Sequence, residues 1–410
     1  VACERLGMGK RETGRYEHVV AGGEEVSAFV PHPLPPANPP LAVEGRLAER
    51  LRHAEQALTK LDLAGEMVPS LDWFIYAFVR KEAVISSQIE GTQASLVDLL
   101  NFEAEQEARS GATGTDKEPA APSPDVEEVC NHVDALAYAR QQLADEKGLP
   151  LSMRLLNETH RLLMKGVRGA DRQPGEVRRS QNWIGGSRPG NAVFVPPPHH
   201  LFPDLIGDFE KYMHGEDALP PLIRAGLLHV QFETIHPYLD GNGRIGRLLI
   251  TLLLEHWGLL EKPLLYLSLF FKRNQAEYYR RLGAVRTDGD WEEWLDFFLD
   301  GVVNIAEEAI TSARDLFTLV SEDRDQILSS GSASISAIRL FELLPRHPIV
   351  SVASAMKLVE GSKPTATRAI GILEESGVLA ETTGRRRDRS FAYQAYLDLL
   401  RVGTELEAPR

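Results

Sequence analysis

Apolar residues recur at helical spacing along most of the chain. The pattern runs from Leu41 to Leu63 and again from Leu71 to Gln88, the three-and-four periodicity of helices with one buried face. Further helices are predicted at roughly Val126 to Asp145, Ser152 to Met164, His200 to His214, Pro221 to Ile235, Arg244 to His256, Gln275 to Val285 and Trp291 to Phe317. One interior segment breaks the rule. Between Gly175 and Pro196, a stretch holding Arg178, Ser180, Asn182 and Ile184 and a stretch Ala192-Val193-Phe194-Val195 flank a Gly-Gly-Ser-Arg-Pro-Gly turn. That pattern predicts a hairpin inside a helical domain.

The ends differ from the middle. Residues 1–45 read as an extended arm, because Pro31, Pro33, Pro35, Pro36, Pro39 and Pro40 favour a conformation without internal hydrogen bonds. Residues 46–108 form an N-terminal helical region, 109–125 a polar linker rich in Gly, Pro, Ser and Thr, and 126–320 the main helical core. Residues 333–400 have a logic of their own. Helical patterns at Ile335 to Leu344, Val352 to Val359 and Thr365 to Ser376 precede two short strands, Val378 to Thr382 and Ser390 to Tyr393. The strands are joined by Gly384-Arg385-Arg386-Arg387-Asp388-Arg389, so a winged helix-turn-helix is expected. The fold class is therefore mainly α.

Composition narrows this picture without changing it. The 43% apolar and 25% charged content is ordinary for a globular protein, and Leu248 to Leu260 is too short and too interrupted to span a bilayer. Two cysteines, Cys3 and Cys130, make no disulfide framework and fit a reducing, cytoplasmic setting; no secretory signal is evident. The chain begins at Val1 rather than Met, so further residues are expected upstream. A net charge of −14 disfavours non-specific nucleic-acid binding by the chain as a whole. Between Ser332 and Leu400, however, nine Lys and Arg face seven Asp and Glu, and the cations gather at Arg385, Arg386, Arg387 and Arg389, with Lys363 and Arg368 near the third helix. DNA is thus a weakly supported partner of the last segment, with protein contact as the other use of such a module.

The chemistry concentrates in His236-Pro-Tyr-Leu-Asp-Gly-Asn-Gly-Arg-Ile-Gly-Arg247. Alone, Asp240-Gly241-Asn242-Gly243 would signal a hairpin turn. The flanks reject that: Ala225, Leu228, Phe232 and Ile235 precede it at helical intervals, and Ile245, Leu248, Leu249 and Leu252 follow. A glycine-rich loop opening onto a helix N-terminus offers unpaired N–H groups to an anion. Arg244 and Arg247 lie one turn apart and reach the same anion. Asp240 supplies a carboxylate for a magnesium ion bridging phosphates, and His236 a general base. His229, seven residues earlier on an apolar face, reads as a hydrogen-bonded core histidine, since no His-Glu-x-x-His spacing accompanies it.

This run resembles the signature of the Fic family, with Tyr238 where that family usually has Phe and a Tyr hydroxyl that must then find a partner. The resemblance extends over most of residues 125–310, including the hairpin and the segment from Tyr278-Tyr279 to Trp294. It implies a Fic helical core that is a protein adenylyltransferase, moving AMP from ATP to a Ser, Thr or Tyr hydroxyl of an unidentified target protein with release of pyrophosphate. Gly243, where other members carry Lys, points away from the phosphorylating Doc-like branch. His236 would take the proton and Asp240 would hold Mg²⁺. Gly241, Asn242, Gly243, Arg244 and Arg247 would cradle the phosphates. Tyr278 and Tyr279 are candidates for the adenine pocket. The flap, with Trp183, Ile184, Gly185, Val193 and Phe194, would dock the target by strand addition.

Ser86-Ser87-Gln88-Ile89-Glu90-Gly91 is similar to the inhibitory motif of the same family, in the branch with an N-terminal inhibitory helix. Ser86 and Glu90 share a helical face, and Gly91 ends the helix. The resemblance implies that Glu90 engages Arg247 in a charge-assisted pair and so blocks productive ATP binding. A homodimer remains open. Two further readings stand beside the self-inhibited enzyme: a winged-helix transcription regulator whose Fic core senses nucleotide, and a Fic enzyme that uses another nucleotide or removes AMP.

Overall fold

The structure, a computed structural model, describes residues 11–67, 71–109, 123–331, 333–385 and 389–406. Most of the expected linker, the start of the arm with Cys3, and Arg386 and Arg387 lie outside these residues. Strands β1 (Gly14–Ala21) and β2 (Glu24–Pro31) come first, followed by α1 (Gly45–Met67), α2 (Leu71–Ile89), α3 (Leu96–Arg109), α4 (Pro124–Ala144) and α5 (Met153–Leu163). The middle of the chain forms α6 (Phe202–His214), α7 (Pro221–Ile235), α8 (Asn242–His256), α9 (Ser268–Arg273), α10 (Gln275–Asp288) and α11 (Trp291–Ser329). The last part forms α12 (Ile335–Leu343), β3 (Ile349–Ser351), α13 (Val352–Leu358), α14 (Lys363–Glu375), β4 (Ala380–Glu381), β5 (Ser390–Ala392) and α15 (Gln394–Leu400). The chain divides into two compact units, Val1–Thr59 with Asn131–Ala306, and Lys60–Cys130 with Glu307–Arg410.

The first unit is organised around α7, buried from Leu222 to Ile235 and packed against α6, α8 and β2. A helix buried on every side belongs at the centre of a core, and its polar members Arg224, His229, Gln231, Glu233 and Thr234 are buried with the rest. Gly226 lets it approach the last helix of the unit closely: a Cβ there would stand 2.8 Å from Leu295, and Trp294 donates its indole N–H to the Gly226 carbonyl at 3.0 Å.

Two expectations are corrected here. Residues 14–31 are an antiparallel hairpin, not part of an extended arm, with Ala21 opposite Glu24 and the two-residue turn Gly22-Gly23 at positive φ. A Gly-Gly pair between alternating residues is a hairpin signal; the prolines that suggested an arm begin only at Pro31. Conversely, the interior hairpin is a looser object than two strands. It is fixed by a single antiparallel bridge between Ile184 and Phe194, with a 3₁₀ turn at Pro189–Asn191. Prolines 196–198 have no N–H to extend a ladder. Side chains act instead: Gln181 donates to the Pro196 carbonyl at 2.8 Å and Arg178 to that of Pro197 at 2.6 Å. The two hairpins meet where the Phe29 N–H donates to the Val195 carbonyl at 3.0 Å and Arg188 pairs with Glu24 at 2.5 Å.

The second unit contains α2, α3 and the sheet β3-β5-β4, antiparallel throughout; α3 and α13 pack on β3, and α12, α13 and α14 pack on one another. Strand β3 and helices α3 and α15 were absent from the sequence-based expectation, being short or following a polar break.

Candidate active site

Helix α7 ends at His236, a non-glycine residue in the left-handed region (φ +51) whose N–H still donates to Phe232 O at 2.9 Å. The chain then turns through Pro237 to Gly241 and enters α8. Two features fold this loop from within. The Asn242 amide accepts from the Tyr238 N–H at 2.9 Å and donates to the Tyr238 carbonyl at 2.8 Å. Gly241 sits at φ +78, and a Cβ there would approach Met164 Sδ to 2.9 Å and the His160 ring to 3.2 Å. Only glycine meets both demands. Asn242, expected to face the anion, therefore braces the loop from inside, with both ends of its side chain committed and almost none of it exposed.

Asp240 is the acid of the loop. Its Oδ1 accepts from the Gly241 N–H at 2.6 Å and lies 3.8 Å from the Arg244 guanidinium, while about two fifths of the side chain is exposed. Among the described residues no three His, Cys, Asp or Glu side chains gather into a metal cage. A partly exposed single carboxylate at an anion site fits an ion that takes its other ligands from phosphate and water, as Mg²⁺ does. Arg244 and Arg247 stand behind the loop, 1% and 3% exposed. Two buried guanidinium groups at a helix N-terminus favour negative charge there.

Three residues outside the sequence-predicted site shape it. His160 on α5 stacks flat on Tyr238, ring centroids 3.9 Å apart. Its Nδ1 accepts from the Gly175 N–H at 2.8 Å, so Nε2 carries the proton and donates to the Asp240 carbonyl at 3.0 Å. Burial lowers its pKa to about 4, which keeps this tautomer neutral. Tyr238 donates its hydroxyl to Asn157 at 2.8 Å, so the departure from Phe is satisfied. His132 on α4 is fully buried; burial and the nearby Arg244 and Arg247 charges lower its pKa to about 3. Neither of its ring nitrogens has a hydrogen-bond partner among the described residues.

Arg178 is the third. Its buried guanidinium donates from Nε to the His236 carbonyl at 3.0 Å, from Nη1 to Ser180 O at 2.9 Å and from Nη2 to Pro197 O at 2.6 Å. Its own N–H donates to Pro237 O at 2.8 Å, and its charge lies 4.6 Å over the Phe202 ring. Burial lowers its pKa to about 9, leaving it charged at neutral pH. Arg178 thus fixes both ends of the flap to the residue that ends α7. On the flap itself Trp183 is exposed, Val193 is 84% exposed, and Gly185 is left-handed; Phe194 turns inward beneath Arg286, 4.0 Å from its ring.

The remaining sequence candidates fall elsewhere. His229 is a core histidine, as expected: its Nδ1 donates to Gly246 O at 3.0 Å, so its Nε2 accepts from the Tyr278 hydroxyl at 2.9 Å. Tyr278 is consequently buried within an aromatic cluster with Phe271 and Trp294, and does not offer a face to adenine; Tyr279 is 47% exposed. Ser86, Glu90 and Gly91 belong to the second unit, at the end of α2. There Gly91 (φ +95) stops the helix, with its N–H donating to Gln88 O at 3.0 Å and that of Thr92 to Ser87 O at 3.2 Å. That pair of bonds is a Schellman cap.

With this geometry in view, comparison with known proteins is decisive about family. The Fic/DOC family N-terminal region matches residues 48–141, and the Fic/DOC family domain matches residues 150–254. The chain thus carries both regions of the Fic/DOC family. This Fic chain is 39% identical over 69 residues to a probable protein adenylyltransferase of Aquifex aeolicus, covering 17% of the chain and 22% of that relative. It is 29% identical over 168 residues to the protein adenylyltransferase Fic of Drosophila grimshawi, covering 40% of the chain and 31% of that relative. The chain thus spans under a third of the length of either. A crystal structure of a Fic family protein from Desulfovibrio desulfuricans G20 shares the fold at a TM-score of 0.52 and 19% identity, over 86% of this chain and 97% of that one.

Two outcomes follow for stability. Arg178→Lys keeps a charge but not the fork that serves three carbonyls. It should lower unfolding free energy by about 3 kcal/mol, read as a shift in the urea midpoint; an unchanged midpoint would remove Arg178 from this role. His132, His160 and His229 all have folded-state pKa values below the ordinary histidine value, near 3, 4 and 3. The unfolded chain therefore binds more protons below pH about 6.5. Stability should be full above that pH and fall toward pH 4, by up to about 1.4 kcal/mol per pH unit for each ring. Denaturant titrations at neutral and mildly acidic pH check this, and a flat profile would contradict it.

Proposed function

We propose that the chain is a protein adenylyltransferase held in check by its own N-terminal region. The single observation that carries this reading is the loop from His236 to Arg247: one histidine, one part-exposed carboxylate and two buried guanidinium groups at the start of α8, inside a Fic domain. Relatives named protein adenylyltransferase support the choice of reaction.

In this reading a target Ser, Thr or Tyr hydroxyl attacks the α-phosphorus of ATP. A new oxygen–phosphorus bond forms, the bond to the β-phosphate bridging oxygen breaks, and pyrophosphate departs. His236 takes the hydroxyl proton. The N–H groups of Asn242 and Gly243, with Arg244 and Arg247, hold the phosphates and neutralise charge on the leaving group, the Gly241 N–H being taken by Asp240. Mg²⁺, held by Asp240, would supply further neutralisation of the phosphate charge. Tyr279 is the ring left to meet adenine, since Tyr278 is committed to the core. The flap, with Trp183, Ile184, Gly185 and Val193, receives an extended target segment by strand pairing.

The regulatory part rests on Ser86-x-x-x-Glu90-Gly91, which lies within the matched N-terminal region of the family. Glu90 is assigned the brake, with Ser86 and Gly91 shaping the helix end that presents it.

Incubation with ATP labelled in adenine should produce a covalent self-label or a label on added lysate protein. His236→Ala should reduce it by about 10³-fold, within the range for loss of a general base. Glu90→Gly should raise it by about tenfold or more, as release of a population-limiting contact of a few kcal/mol would. Label transferred from the γ-phosphate instead would replace adenylyl transfer by kinase-like chemistry. Equal, slow labelling by Glu90→Gly and the parent would remove the brake.

A further inference from the structure

The last part of the second unit has an order of elements that adenylyl transfer does not use. Helix α12, strand β3, helices α13 and α14 and the hairpin β4–β5 follow one another, and the sheet order is β3-β5-β4. Helices α13 and α14 are joined by a tight turn in which Glu360 takes φ +50, the Gly361 N–H donates to Met356 O at 3.0 Å and Ser362 caps α14 by accepting from the Thr365 N–H. A helix-turn-helix followed by a two-stranded wing is the geometry that lays its second helix in a DNA major groove.

The two faces of α14 differ in character. Ala366, Ala369, Ile370 and Leu373 are buried, and the helix packs by that face on α12 and α13. The face over its first two turns exposes Lys363, Pro364, Thr367 and Arg368 and has no acid; Glu374 and Glu375 lie at the far end. The wing adds exposed Arg385 and Arg389, the latter with its guanidinium 5.1 Å over the Phe391 ring.

Charge pairing within the unit sharpens the contrast. Arg324, Arg339, Arg346 and Arg401 each meet a carboxylate, on Glu342, Glu360, Asp72 and Asp398. Among the described residues Lys363, Arg368, Arg385 and Arg389 make no ion pair. The acid nearest the wing arginines, Glu381, is turned onto the wing itself, accepting from the N–H groups of Thr383 at 2.8 Å and Gly384 at 3.0 Å and from the Thr383 hydroxyl. Glu107 of α3 is likewise engaged elsewhere, at His347 on 2.9 Å. Helix α3 packs on β3 and α13, which leaves the first turns of α14 and the wing uncovered by it. A chain of net charge −14 thus keeps four exposed cations without an ion pair, among the described residues, on one helix-turn-helix and its wing.

We propose that α14 and the β4–β5 wing bind double-stranded DNA, a function separate from nucleotide transfer. The first turns of α14 enter the major groove, with Thr367 and Arg368 facing base edges and Lys363 facing phosphate; Arg385 and Arg389 grip the adjoining backbone.

The test uses the full chain and a pool of random-sequence duplexes of about 30 base pairs, long enough to hold a half-site pair. Repeated selection at about 50 mM salt should enrich a shared sequence. Binding of that sequence should weaken with salt at a log–log slope of roughly −3, as three phosphate-facing cations require. Lys363→Glu with Arg368→Glu should lower affinity at least tenfold and flatten the slope, and Arg385→Ala with Arg389→Ala should flatten it too. These side chains are exposed, so an unchanged urea midpoint reports that the variants fold. His236→Ala should leave DNA binding unchanged, which separates failure of this proposal from failure of the transferase reading. No enrichment, or binding whose affinity and slope survive all four substitutions, overturns the proposal and leaves the face to a protein partner.

Discussion

The guanidinium of Arg178 is the contact on which the geometry of the candidate site depends. It is buried, charged, and shared among the carbonyls of His236, Ser180 and Pro197. Charge-assisted bonds of this kind are short and directional, and the carbonyls they serve cannot be left unpaired in a dry interior without cost. The prolines that close the flap supply no N–H of their own, so a side chain must do what a strand ladder would otherwise do. Because one of the three carbonyls belongs to His236, the same contact that shapes the flap also fixes the left-handed end of α7. The position of the proposed base and the position of the proposed target groove are therefore not independent.

A second constraint is electrostatic. Arg244 and Arg247 are almost wholly buried, and three histidines near them are kept neutral by burial. Neutral rings are useful here. His160 and His229 each use one nitrogen as donor and one as acceptor, tying Gly175 to Asp240 and Gly246 to Tyr278. A charged imidazole would have no acceptor nitrogen and would add a third positive charge to a site that already holds two. The loop is rigid because neutral rings hold its backbone, while its positive field comes from arginine alone.

Much of this was legible from residue order. The helical periodicities gave α4 to α8 and α10 to within a few residues, and the Gly-rich run was recognisable as a loop between two helices instead of a hairpin. His229 was separated from any metal role by spacing alone. The hairpin at Gly14–Pro31 was obscured by the prolines beyond it, although Gly22-Gly23 carried the signal. His160 and Arg178 had no sequence signal of their own: one lies on the apolar side of an amphipathic helix, the other in a segment that resembled a strand. Asn242 was assigned to the anion because of its place in the motif, whereas its side chain closes on Tyr238 two bonds deep.

The sequence by itself determined the helical class, the family resemblance and the position of the glycine-rich loop between two helices, because periodicity and contiguous motifs are local properties of the chain. Only the tertiary structure decided which side chains hold that loop in shape and which face of the C-terminal module stays cationic. Those outcomes depend on burial and on partners distant in sequence: His160 meets Asp240 across 80 residues and Arg178 meets His236 across 58. Desolvation turns such encounters into strong constraints, and no local pattern of residues announces which pairs will be brought together.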